Sequence, residues 1–174
     1  MEKPDYSVAT VADVRSIESH GPWDTKSGGK LNVLFELGND VIQADFFNYQ
    51  TSELSKIPTD VRGLRLYQVS DLAEDSVGAK EWHRVRNELV FVLKGSVKWI
   101  CEDVYGGKKE YVIDGHSGVW TPPFILHTYE TVDDNTQILV VANTLFLPGD
   151  PRTHDSYSTK EFRELQALYN SDPK

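Results

Sequence analysis

The middle of the chain alternates short apolar segments with clusters of Gly, Asn, Asp and Ser, such as Gly38–Asp40 and Asp133–Asn135. Short segments at this spacing, separated by turn residues, are typical of an all-β sandwich or barrel. Glycine and the Asx residues favour the backbone conformations that tight turns require. The predicted strands are Leu31–Glu36, Val41–Tyr49, Gly63–Ser70, Leu89–Lys94, Ser96–Glu102, Lys109–Ile113, Gly118–Thr121, His127–Thr131 and Gln137–Ala142.

The C-terminal segment Ser158–Asn170 has a different periodicity. Its apolar residues Phe162, Leu165 and Tyr169 recur at helical spacing. Ser158 or Thr159, with Glu161 or Glu164 nearby, provides a capped helix start. The pattern therefore predicts one all-β domain with a C-terminal helix. We expect it to comprise an N-terminal arm, a barrel, and a tail with the helix, over residues 1–27, 28–145 and 146–174.

Composition excludes several classes of protein. The 174 residues include 27 acidic and 18 basic side chains, for a net charge of −9, which disfavours general nucleic-acid binding. No apolar run approaches the roughly 18 residues of a membrane span. The N-terminal residues lack the basic start and apolar stretch of a signal peptide, and Cys101 is the single cysteine. We therefore expect a cytoplasmic protein without internal disulfides or a membrane partner.

Two stretches combine residues suited to acid/base chemistry or metal binding. The first contains Glu81, His83 and Glu88, followed by an apolar strand and a glycine turn at Gly95. The second has a Pro-Pro turn and ends at His127. Imidazole changes its protonation near neutral pH, and both imidazole and carboxylate bind transition metals. Glu81 and His83 are two residues apart, so on one strand they would share a face.

These stretches resemble the paired motifs of the cupin superfamily. The first cupin motif runs His-x-His, three or four residues, Glu, six residues, Gly, and here Glu81 stands at the first histidine. The second runs Pro-x-Gly, two residues, His, and here Phe124 stands at the glycine and His127 at the histidine. The resemblance implies a cupin fold, which is a jelly-roll barrel. It does not specify an activity, because one fold hosts many functions.

A longer resemblance, over residues 28–165, is to the sugar-nucleotide 3,4-ketoisomerases, small cupins that act on dTDP-4-keto-6-deoxyglucose. The similar segments include Arg65–Val69, Glu81–His83, Phe91–Ser96 and the tail segment Tyr157–Phe162. The reaction of that family moves a ketone from C4 to C3 through an enediol and needs no cofactor or metal. The resemblance thus implies an isomerase that binds a nucleotide sugar.

The same resemblance implies roles for individual residues. His83 matches the second motif histidine and would be an acid/base group, and Tyr67 would hydrogen-bond the substrate or shuttle a proton. Arg65 would bind the diphosphate, which a guanidinium recognises well. Glu81 departs from the family histidine, and a glutamate with a raised pKa could still serve as a base. The remaining motif residues, Glu88 and His127, would contact the substrate.

Two other functions remain open at this stage. A metal-dependent cupin enzyme would use Glu81, His83, Glu88 and His127 as a two-histidine, two-carboxylate site for Fe, Mn, Ni or Zn. A non-catalytic cupin would bind a sugar without turning it over. For Arg86 we expect a solvated side chain, which would reach the His83 side only if the strand is broken there.

We also expect a homodimer, partly from the family resemblance. The segment before Gly28 contains several apolar residues, among them Val8, Val14 and Trp23, that need burial. Exchange of a strand with a partner barrel is a common way to bury such a segment.

Overall fold

The computed structural model describes residues 2–39 and 45–171. Within these ranges, two α-helices, α1 (Thr51–Leu54) and α2 (Thr159–Asn170), and a short 3₁₀ turn (Pro151–Thr153) accompany twelve strands. The strands are β1 (Arg15–Glu18), β2 (His20–Asp24), β3 (Lys30–Val33), β4 (Arg62–Leu72), β5 (Val77–Trp82), β6 (Glu88–Lys94), β7 (Val97–Glu102), β8 (Lys108–Ile113), β9 (Ser117–Thr121), β10 (Leu126–Thr131), β11 (Thr136–Thr144) and β12 (Tyr157–Ser158).

Most strands form two five-stranded antiparallel sheets. One sheet has the order β1-β9-β6-β11-β4, the other has the order β12-β5-β10-β7-β8, and β2 pairs with β3 in a separate hairpin. The main core includes Val90 and Ile138 from the first sheet and Trp99 and Ile113 from the second, all 2% exposed or less. Two sheets that bury their facing side chains form a sandwich, so the all-β prediction is confirmed.

The strands differ from the prediction in places. The strand expected over Leu31–Glu36 ends at Val33. Of the strand expected over Val41–Tyr49, residues 41–44 lie outside the described residues, and Asp45 and Phe46 form a helical turn instead. The reason lies in the packing of Phe46, which is 2% exposed and has its ring centroid 5.4 Å from that of Trp120.

The C-terminal helix forms as predicted and packs against β5 and β12. The backbone N–H of Ser158 donates to the Glu161 carboxylate at 2.7 Å, and the Ser158 hydroxyl accepts from the Glu161 N–H, which completes a capping box. Phe162 and Leu165 are fully buried in a cluster with Trp82. Among the described residues, no helix has the length and apolar character needed to cross a membrane.

The N-terminal arm packs on its own barrel. Residues of β1 pair with β9, with Ile17 opposite Gly118. Val8 and Val14 are 7% and 3% exposed within the single chain, whereas Trp23 remains 49% exposed. Most of the apolar side chains that led us to expect strand exchange are therefore at least partly buried within the single chain.

Candidate active site

The site is a cavity of about 140 Å³ between the two sheets. Tyr67 from β4 and Glu88 from β6 face it from one sheet, and Glu81 from β5 and His127 from β10 face it from the other. Most of the remaining wall is apolar and includes Ile138. Four of the six predicted site residues therefore line one cavity.

A β-bulge directs Glu81 toward this cavity. His127 lies opposite Glu81 and Thr128 lies opposite Ala79, so Lys80 is the extra residue on β5. Ala79 and Lys80 both have left-handed backbone angles, with φ of 59° and 60°. Bulges of this kind bend a strand, and they often redirect a side chain next to an active site.

His83 joins the site from a different position than expected. Glu81 lies in β5, whereas His83 follows the end of that strand, so the two do not share a regular strand face. Their side chains nevertheless converge, because donor atoms of Glu81, His83 and His127 all lie within 4.8 Å of one another. The break in the strand is stabilised by Asp155, whose carboxylate accepts backbone N–H groups of three consecutive residues, beginning at Arg84.

Asp155 also orients the His83 ring. Its backbone carbonyl lies 2.5 Å from His83 Nδ1. A carbonyl oxygen can only accept, so Nδ1 carries a proton and donates it to this bond. In the neutral imidazole, the lone pair then lies on Nε2, which is 3.5 Å from Glu88 Oε1. His83 is therefore arranged to accept a proton at Nε2.

Glu88 is a fully buried carboxylate surrounded by donors. The Tyr67 hydroxyl donates to Oε1 at 3.1 Å, Arg86 Nη1 lies 3.4 Å from the same oxygen, and His127 Nε2 lies 3.5 Å from Oε2. Burial alone would raise the pKa of Glu88, but the charge and donors around it, with the Arg86 guanidinium as the permanent cation, hold the pKa well below its usual range. Glu88 is therefore ionised. Burial and the Glu88 charge raise the pKa of Tyr67, which stays a neutral donor.

His127 is held by packing and one hydrogen bond. Its Nδ1 donates to the Ile125 carbonyl at 3.0 Å, and its ring stacks on Trp99 with centroids 5.2 Å apart. Burial lowers the pKa of His127, so the ring is neutral. Its Nε2 is buried and has no hydrogen-bond partner within the described part of the chain. An unpaired buried acceptor beside a cavity is available to a ligand.

Arg65 lies beside the cavity rather than among the residues that line it. Its guanidinium carbon is 4.6 Å from the Tyr67 ring centroid and 5.1 Å from that of Phe146. Its Nε is buried without a hydrogen-bond partner in residues 2–39 and 45–171. Burial and the neighbouring Arg86 lower the pKa of Arg65. Arg65 and Tyr67 are on the same strand, as the sequence predicted.

Arg86 is the residue that sequence analysis missed. It is 2% exposed rather than solvated, because the chain between β5 and β6 is not a strand and turns the side chain inward. Its Nε donates to Thr144 Oγ1 at 2.9 Å, and its Nη1 lies 3.4 Å from His83 Nε2. A buried glutamate needs a cationic partner. The motif position of Glu88 could therefore have indicated that a neighbouring arginine turns inward to pair with it.

A metal ion does not fit this arrangement as it stands. The grouping of Glu81, His83 and His127 has suitable donor types. However, the permanent charge of Arg86 is directed at His83 Nε2 and Glu88 Oε1, which are two atoms of the proposed four-ligand set, at 3.4 Å from each. A divalent cation would have to share these ligands with a guanidinium, and like charges at such distances repel strongly.

Solved structures with a similar fold include several sugar 3,4-ketoisomerases. A 3,4-ketoisomerase from Helicobacter canadensis aligns with a TM-score of 0.60 at 14% identity, over 89% of this chain and 98% of that one. A mutant of the 3,4-ketoisomerase QdtA from Thermoanaerobacterium thermosaccharolyticum, in complex with TDP-4-keto-6-deoxyglucose, aligns with a TM-score of 0.60 at 16% identity, over 93% and 98%. The TDP-fucose-3,4-ketoisomerase WlaRA from Campylobacter jejuni gives 0.59 at 16%, over 88% and 96%.

These likenesses establish a cupin-like fold, as the motif spacing predicted. No curated protein sequence matches the chain significantly. A family model, described as FdtA, WxcM-like, C-terminal, matches residues 46–161, which is more than half of the chain and includes every predicted site residue. The chain belongs to this FdtA family of WxcM-like C-terminal domains.

Proposed function

We propose that the protein is a 3,4-ketoisomerase that acts on a nucleotide-linked 4-keto-6-deoxy sugar of the dTDP-4-keto-6-deoxyglucose type. The observation that supports it most is the convergence of a proton acceptor, His83 Nε2, with Glu81 and the ionised Glu88, both of which line the cavity. Membership of the FdtA family and the fold shared with 3,4-ketoisomerases support the same assignment.

The reaction requires a base, an acid and a path for one hydroxyl proton. His83 Nε2 removes the C3 proton, and the electron pair of that bond forms the C3–C4 double bond of the enediol. Glu81 then supplies a proton to C4, and the hydroxyl proton moves from the C3 oxygen to the C4 oxygen. Between turnovers His83 releases the proton it gained to solvent, and the partly exposed Glu81 takes up a proton from solvent, which restores both groups. No cofactor takes part in this scheme.

The other predicted residues bind the substrate in this proposal. Tyr67 is a neutral hydroxyl at the cavity whose proton is donated to Glu88, so its oxygen accepts a hydrogen bond from a sugar hydroxyl, and Glu88 and His127 accept hydrogen bonds from other sugar hydroxyls. Arg65, with its unpaired Nε, binds the diphosphate outside the cavity. The net charge of −9 does not oppose this role. The diphosphate would interact with the positive charge of Arg65 itself, at short range, rather than with the net charge of the protein.

The acid/base role of His83 can be tested with a matched pair of histidine variants. We expect His83→Asn to lower kcat by about 10²–10⁴-fold, the usual contribution of a general acid or base, with an unchanged fold. His116→Asn is the control, since His116 is exposed in a turn remote from the cavity lining. Turnover of dTDP-4-keto-6-deoxyglucose by His83→Asn at the control rate would refute the assignment.

We further propose that two copies form a homodimer through the outer face of β4. This strand of 11 residues is at the edge of its sheet, and its Leu64 and Leu66 side chains are 54% and 59% exposed. They border an apolar groove of about 330 Å³ that also includes Phe35. Exposed apolar patches of this kind are typical of interaction surfaces.

The dimer proposal predicts a charge-sensitive surface. Leu66→Lys would give a monomer in light scattering coupled to size-exclusion chromatography, because it places a charge in the apolar contact. Val112→Lys is the matched control, since Val112 is 68% exposed on β8, at the edge of the other sheet. A wild-type monomer would contradict the proposal.

We also propose a cytoplasmic location, which fits the single, buried Cys101.

A metal-dependent isomerase, lyase or dioxygenase is the second candidate, and one observation favours it. The unpaired Nε2 of His127 lies near donor atoms of Glu81 and His83, as a metal ligand would. Elemental analysis separates the two functions: a stoichiometric transition metal that is needed for turnover would replace the proposed mechanism. Binding of the nucleotide sugar without any turnover would instead indicate a non-catalytic cupin.

A further inference from the structure

We propose that Arg86 is the fixed cation of the cavity and keeps divalent metal ions out of the cluster formed by Glu81, His83 and His127. The proposal concerns the cluster itself and needs no substrate, so its test is independent of the proposed isomerase activity.

Arg86 is held through two of its three guanidinium nitrogens, while Nη2 is buried without a hydrogen-bond partner among the described residues. Nε donates to Thr144 Oγ1 at 2.9 Å, and Nη1 lies 3.4 Å from both His83 Nε2 and Glu88 Oε1. The residue is 2% exposed, so water does not screen its charge effectively. The guanidinium thus borders the lone pair of His83 and one oxygen of Glu88, the two atoms that a metal ion would need there.

The remaining groups of the cluster are suited to a metal once this cation is removed. His127 Nε2 is buried and unpaired in the described parts of the chain, and His83 Nδ1 is already fixed by the Asp155 carbonyl. A carbonyl partner on one imidazole nitrogen is the usual support for a metal ligand on the other. Without Arg86, Glu88 would lose the permanent positive charge that lies 3.4 Å from its Oε1, which favours uptake of a cation.

The test measures Co²⁺ binding by calorimetry and by the visible absorption of the bound ion. Wild-type protein should not bind Co²⁺ stoichiometrically. Arg86→Gln, which removes the charge, should bind it at least about tenfold more tightly, since like-charge repulsion is lost. Arg86→Lys retains the charge and should behave as the wild type does. Adding His83→Asn to Arg86→Gln should abolish the gain.

Arg65→Gln is the matched charge control, because Arg65 is close to the cavity but has no hydrogen bond to either His83 or Glu88 among those of the described residues. It should leave the Co²⁺ affinity within about threefold of the wild type, because removal of a more distant positive charge has only a small long-range effect on binding. Equal gains in Arg65→Gln and Arg86→Gln would overturn the proposal, as would no gain in a folded Arg86→Gln.

If Arg86→Gln does not fold, Co²⁺ binding by the wild-type protein tests the proposal instead. Tight, stoichiometric Co²⁺ binding by wild-type protein, with broadening of the His83 and His127 side-chain resonances, would show that Arg86 does not exclude metal. Unbroadened resonances at millimolar Co²⁺ would support the exclusion. Circular dichroism of each variant shows whether it is folded, and therefore whether the variants can be compared or the wild-type measurement is used.

Discussion

The backbone conformation of Phe124, next to the site, can be tested by comparing the unfolding free energies of two variants. It stands where the cupin motif has glycine, and it adopts a φ of 66°, in the left-handed region that glycine favours. Its N–H donates to the His83 carbonyl at 2.8 Å. Its side chain is 2% exposed, with the ring centroid 5.6 Å from that of Trp82. The residue combines a strained backbone with a well-packed side chain.

Two substitutions separate these contributions. Phe124→Ala removes the packing but keeps the strain and should cost about 3–5 kcal/mol of unfolding free energy. Phe124→Gly removes both. Relief of left-handed strain returns about 1–2 kcal/mol, and the greater freedom of glycine in the unfolded chain costs about 0.5–1 kcal/mol. We therefore expect Phe124→Gly to be more stable than Phe124→Ala by about 0.8 kcal/mol, the midpoint of the range of about 0–1.5 kcal/mol that these terms give, which is the reverse of the usual order.

Urea unfolding at a fixed protein concentration measures the difference, because association would otherwise shift the midpoint. Both variants should have the same m value, with the glycine midpoint above the alanine midpoint. If Phe124→Ala is as stable as Phe124→Gly or more stable, position 124 is not strained and the argument from φ is wrong.

Two further predictions concern buried ionisable groups. Because the pKa of Glu88 is depressed in the folded protein, its stabilisation is present above the unfolded value of about 4.3 and is lost as pH falls. The urea midpoint of wild-type protein should thus fall relative to that of Glu88→Gln on acidification, and a constant difference would contradict this. Burial raises the pKa of Cys101 to about 12, so a thiol reagent at pH 8 should label it only in unfolded protein; rapid labelling of the native state would contradict this.

Sequence periodicity predicted the buried strands better than the exposed ones. The apolar segments that became β6 and β11 are buried along most of their length. In contrast, β2 is exposed at all five residues and has no apolar pattern, so no signal marked it. The bulged β5 includes Gly78, Ala79 and Lys80, which have low strand propensity.

The site could be predicted only where motif spacing encodes it. Glu81, His83, Glu88 and His127 have the spacing of cupin motif positions and do converge. Asp155, which orients His83, is 72 residues away along the chain and has no local signal. The inward turn of Arg86 depends on the break between β5 and β6, which Asp155 stabilises. Such groups are set by tertiary contacts, which periodicity does not report.

The central claim is that the acid/base groups of this cavity move the ketone from C4 to C3. The most direct measurement is the incubation of wild-type protein and His83→Asn with dTDP-4-keto-6-deoxyglucose in D₂O, followed by mass spectrometry and NMR of the sugar. We predict a 3-keto product with a solvent deuterium at C4 from wild-type protein and almost none from His83→Asn. A wild-type protein that forms no such product, or a His83→Asn variant that forms it equally fast, would contradict the claim.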